Sequence, residues 1–88
     1  MKHITIDCAA IDSRESLHRT FSEALSLPEW YGNNLDALHD LLTSISEDTT
    51  LEIQNWAAAE AALGNYARAA RRCLTHAERN PHLSVVFH

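Results

Sequence analysis

Three β-prone segments, near residues 2–8, 50–54 and 83–87, are separated by stretches whose apolar residues recur with helical spacing. Strands joined through helices pair in parallel and cross over right-handed. That combination predicts an α/β fold, a small three-stranded parallel sheet packed with about four helices.

The first strand would turn Ile4, Ile6 and Cys8 inward. Asp12 and Glu15 then have the spacing of a capping box for a helix with the stripe Leu17, Phe21, Ala24 and Leu25, ended by Leu27-Pro28. A second helix is expected from about Asn34 to Ile45, and a second strand near Thr50–Gln54. Trp56 opens an alanine-rich helix that Gly64-Asn65 breaks, and another runs from about Asn65 to Arg79 before Asn80-Pro81 stops it. Leu83, Val85, Val86 and Phe87 form a near-continuous apolar run, which predicts a central or doubly covered strand.

With 88 residues, the chain is expected to be one domain, 1–88, burying roughly 60–65% of the surface of its unfolded state. Seven basic and twelve acidic residues give a formal charge of −5 with neutral histidines. No basic stripe is available to displace phosphate counterions, so direct nucleic-acid binding is not expected. Arg68, Arg71, Arg72 and Arg79 read as the solvated face of one helix. Met1-Lys2-His3 leads straight into Ile4-Thr5-Ile6, and no apolar run approaches the ~18 residues of a membrane span. The expectations are no signal peptide, no membrane association and a cytoplasmic protein. Cys8 and Cys73, the only cysteines, are expected to be reduced and buried.

The most pointed chemistry lies in Leu27–Leu42, LPEWYGNNLDALHDLL. At about 100° per residue, Leu35, Leu38, Leu41, Leu42 and Ile45 share one arc, and Asp36, His39, Asp40 and Thr43 share the opposite one. One face is core and the other is display. Asp36 and Asp40 are a like-charge pair four residues apart, which destabilises an isolated helix by roughly 0.2–0.5 kcal/mol. Pro28 stiffens the approach, Trp30 and Tyr31 supply aromatic area, Gly32 gives a permissive backbone position and Asn34 fits an N-cap. An acidic solvated face would explain the charges alone. Aromatic residues beside that face also fit a protein-binding hot spot.

This segment resembles the signature segment of the barstar family, intracellular inhibitors of secreted guanyl-specific ribonucleases. Length and element order fit less specifically over the whole chain. The resemblance implies that a helix and its leading loop plug the ribonuclease active site, with Asp40 in the place of the substrate phosphate and Asp36 as a second acidic contact. It further implies that Trp30 is the loop aromatic, Gly32 the close backbone contact and Asn34 the capping and loop-contact residue. His39 departs from the pattern, because the family carries a large aromatic there, usually Trp. The family's glutamate on the last helix has no clean counterpart in Leu74-Thr75-His76-Ala77-Glu78.

The expected function is therefore inhibition of a basic ribonuclease or ribonuclease-like toxin, by a chain that is monomeric when free. The competing expectation is an acidic interaction module that regulates another basic partner. Catalysis is not expected, since Asp36 and Asp40 face outward with no cleft to separate their protonation states. Neither a metal nor a cofactor is expected: Asp36, His39 and Asp40 fall short of a three-ligand site, and His3, His18, His76, His82 and His88 show no ligand spacing. Gly32 and Gly64 cannot form a phosphate-cradling loop.

Overall fold

The computed structural model describes residues 2–29 and 31–88; Met1 and Trp30, the expected loop aromatic, lie outside the described residues. In chain order the elements are β1 (Lys2–Asp7), α1 (Arg14–Leu25), α2 (Leu35–Thr43), β2 (Thr49–Gln54), α3 (Trp56–Leu63), α4 (Asn65–Ala77) and β3 (Leu83–Phe87). The strands form one sheet in the order β1-β2-β3, and both pairings are parallel, as the helix-separated pattern predicts.

Register explains which residues meet the helices. Ile4, Leu51 and Val85 share one row of the sheet, and Ile6, Ile53 and Phe87 share the next. These rows pack into a core with Leu17 and Phe21 of α1, Leu38 and Leu42 of α2, Trp56 of α3 and Leu74 of α4. The opposite sheet face carries His3, Thr5, Ser84 and Val86, all exposed. There the His3 imidazole lies 3.5 Å from the Glu52 carboxylate.

The apolar run at 83–87 is thus neither central nor covered on both faces. Residues alternate strictly along a strand, so Ser84 and Val86 point to the open face, and Val86 remains 41% exposed. The central strand is β2, while β3 is an edge. Its free side is partly closed by Glu78, whose carboxylate accepts a hydrogen bond from the Val85 amide at 3.0 Å.

The first capping box also differs from the sequence expectation, by one residue. Ser13 is the N-cap: its hydroxyl accepts from the Ser16 amide at 3.1 Å, and the Ser16 hydroxyl accepts from the Ser13 amide at 3.0 Å. A serine at each end satisfies both donors, so neither Asp12 nor Glu15 is needed. Between α3 and α4, Gly64 adopts φ 55° and ψ −119°, a conformation that side-chain-bearing residues avoid. The two helices therefore change direction without a linker.

Asn80 fixes the far end of α2. Its amide group donates to the carbonyls of Leu42 at 3.1 Å and Ile45 at 2.8 Å, and its Oδ1 accepts from the His82 amide at 3.0 Å. One buried side chain thereby pairs the Ile45 carbonyl beyond the helix end and reinforces the Leu42 carbonyl, which the Ile45 amide reaches only at 3.4 Å.

Candidate functional site: an acidic helix and its leading loop

Asn34 sets the start of α2. It sits in extended backbone, accepts from the Ala37 amide through Oδ1 at 2.8 Å and donates through Nδ2 to the Gly32 carbonyl at 3.2 Å. The expected N-cap is therefore also a clasp on the preceding loop. A Cβ at Gly32 would come within 3.0 Å of that same Asn34 amide nitrogen, so close approach, and not an unusual φ, disfavours a larger residue there. Asn33 takes the left-handed conformation, φ 51°, that turns the chain into the helix.

Tyr31 anchors the loop. Its ring is buried, and its hydroxyl lies 2.6 Å from Nδ1 of His18, whose Nε2 lies 2.6 Å from the Tyr66 hydroxyl. The Arg14 guanidinium stacks 4.4 Å above the Tyr66 ring. Desolvation holds His18 below the ordinary imidazole range and pushes both phenols upward. The network joins α1 and α4 to the loop through the buried His18, flanked by the buried Tyr31 and the half-buried Tyr66.

On this frame the helix separates its faces as its periodicity predicts. Leu38 and Leu42 are buried, whereas Asp36 and Asp40 are exposed. The nearby hydroxyls of Thr43 and Ser44 donate to the backbone carbonyl of Asp40, not to its carboxylate. Among the described residues the close contacts between a basic nitrogen and a carboxylate are His3–Glu52 and His82–Asp48, and neither Asp36 nor Asp40 takes part in one. The two carboxylates are left facing solvent on a helix held at both ends.

His39 is half-buried, because His76 of α4 meets it: Nε2 of His39 lies 3.0 Å from Nδ1 of His76. The rings are 5.1 Å apart and inclined by 35°. Leu35, Asp36, Ala69, Arg72 and Cys73 complete a shallow groove of 460 Å³ between the helices. The Cys73 thiol donates to the Leu35 carbonyl at 3.4 Å, and burial together with Asp36 raises its pKa to about 11. No sequence spacing relates His76, Arg72 or Cys73 to α2, although the family resemblance sets the stretch from Leu74 to Glu78, which contains His76, near the binding face. Glu78 is committed to the edge of β3 instead.

The family model described as Barstar (barnase inhibitor) matches residues 1–87. Over 68 residues the chain is 38% identical to a protein of Bacillus subtilis (strain 168) described as "Putative ribonuclease inhibitor YrdF", an alignment that covers 76% of this chain and 75% of that protein. Among the described residues, no helix is long and apolar enough to cross a membrane.

Proposed function

The chain belongs to the barstar family, and on that premise we propose that it inhibits a basic ribonuclease or ribonuclease-like toxin by plugging the active site with α2 and its leading loop. The observation that carries this reading is the pair of exposed carboxylates, Asp36 and Asp40, with no ion-pair partner among the described residues. Asp40 takes the place of the scissile phosphate and meets the cationic groups that would hold it. Asp36 meets a neighbouring basic group. Gly32 and Asn34 make the loop contacts, with Trp30 beside them by its place in the motif, and His39 fills the space where the family usually carries a larger ring.

Magnitudes favour a binding role over a purely structural one. Repulsion between the aspartates costs the free helix a few tenths of a kcal/mol. Truncating one member of a buried, hydrogen-bonded interfacial charge pair costs about 2–5 kcal/mol or more, a generalisation drawn in part from a complex of this same family. A helix pre-ordered by Asn34 and Asn80 also loses little conformational freedom on docking.

The test is depletion of ribonuclease activity from culture medium of the organism that encodes the chain, using immobilised protein. Wild type is expected to remove the activity, and the Asp36→Ala, Asp40→Ala double variant to leave it. Equal depletion by both would overturn the role of the acidic pair, and no depletion by wild type would overturn ribonuclease inhibition.

A further inference from the structure

We propose that α4 carries a binding site for a small polyphosphate, a diphosphate or triphosphate group, on Arg68, Arg71 and Arg72. With Thr75 and His76 these side chains line a concave groove of 530 Å³. Pockets for small molecules fall in the same range, about 300–1,000 Å³. A guanidinium presents planar, paired donors that match two phosphate oxygens at once, and the Thr75 hydroxyl adds a neutral donor.

Two of the three guanidiniums are held in place without loss of charge. Nη1 of Arg68 donates to Oδ1 of Asn65 at 3.0 Å, and the Arg71 guanidinium stacks 4.4 Å above the Phe87 ring. Both partners are neutral. Among the described residues, no carboxylate makes a close contact with any of the three arginines, although the chain has twelve acidic and seven basic residues. Donors already in place leave little ordering for a ligand to impose.

The arrangement works against the free helix. Arg71 and Arg72 lie three and four residues beyond Arg68 on one face, so like charges repel. All three occupy the first two turns of α4, near the positive end of its dipole, and the first turn has neither an acidic residue nor a side-chain cap. A bound anion relieves both repulsions.

The surroundings limit the size of the ligand. Arg72 and His76 also line the neighbouring groove, where Asp36 stands. A long nucleic-acid strand leaving the arginines in that direction meets a carboxylate, on a chain of formal charge −5. A compact polyanion does not. Arg79, grouped with these arginines by sequence, lies beyond the end of α4 and outside the groove. The face read from sequence as merely solvated is thus divided, and its site stands independently of what α2 binds.

Calorimetric titration of the intact chain with sodium pyrophosphate and with tripolyphosphate, at constant ionic strength, tests the proposal. One saturable site per chain is expected, weakened about tenfold or more by Arg68→Gln and by Arg71→Gln, as for loss of a charged hydrogen bond. Arg79→Gln removes the same charge outside the groove and should bind as wild type does. In wild type, NMR of the arginine side-chain N–H groups should show Arg68, Arg71 and Arg72 shifting together. Absence of saturable binding, an equal loss in Arg79→Gln, equal affinity for sulfate, or tighter binding of a short single-stranded RNA would overturn the assignment to a small polyphosphate.

Discussion

Nδ1 of His18 lies 2.6 Å from the hydroxyl of Tyr31, a buried bond that ties α1 to the loop in front of the acidic helix. The Tyr31 hydroxyl is also 3.4 Å from the carbonyl of Asn34, the residue that caps α2. One arrangement satisfies every group: Nδ1–H of His18 donates to Tyr31, Tyr31 donates to the Asn34 carbonyl, and Tyr66 donates to Nε2. It requires a neutral imidazole.

Acid should therefore weaken the fold through His18. Burial lowers its pKa in the folded protein, so the unfolded chain takes up the proton first as pH falls through about 6.5. This contribution is complete above that pH and declines below it, with a slope of up to about 1.4 kcal/mol per pH unit, until the folded form also protonates. Urea unfolding of wild type and His18→Gln between pH 7.5 and 5 measures the difference. The two stabilities should converge as pH falls; a constant gap would contradict a neutral, buried His18.

Asn80 offers a test of how the far end of α2 is held. Loss of its amide removes the side-chain donor to the Ile45 carbonyl and leaves the Leu42 carbonyl only the long 3.4 Å bond from the Ile45 amide, and an unsatisfied buried group costs about 1–3 kcal/mol. Asn80→Ala should destabilise by that order. Asn80→Asp preserves size but points a carboxylate oxygen at two carbonyls, so it should be at least as damaging. Thermal or urea melts in which Asn80→Asp matches wild type would show that the bonds contribute little.

Arg72 shares the groove with Asp36 and His39 but forms no ion pair among the described residues. Its charge opposes the acidic field that would attract a cationic partner. Arg72→Ala should raise the association rate with a basic ribonuclease a few-fold at low salt, an advantage that disappears as ionic strength rises. Stopped-flow association rates at several salt concentrations check this, and a slower variant would mean that Arg72 contacts the partner directly.

Local chemistry made much of this architecture legible. The cap at Asn34, the glycine break at Gly64, the buried and exposed faces of α2 and the order of strands and helices all follow from spacings of a few residues. Choices between neighbouring solutions were less visible, as where Ser13 and Ser16 pre-empt Asp12 and Glu15 at the start of α1. Tertiary partners were not visible at all. An apolar run does not say that its strand lies at the edge, nor that Glu78 will shield it. Likewise His39 and His76 meet because α2 packs on α4, and Asn80, legible as a helix stop, gives no hint that it clasps another helix.

The acidic pair is most directly tested by measuring the affinity of the captured ribonuclease for wild type and Asp40→Asn across a range of salt. Asn keeps the shape of the exposed side chain and removes only its charge. Affinity should fall at least tenfold, about 1.4 kcal/mol, and the remaining binding should depend less steeply on salt. Unchanged affinity with an unchanged salt slope would contradict the assignment of Asp40 to the place of the phosphate.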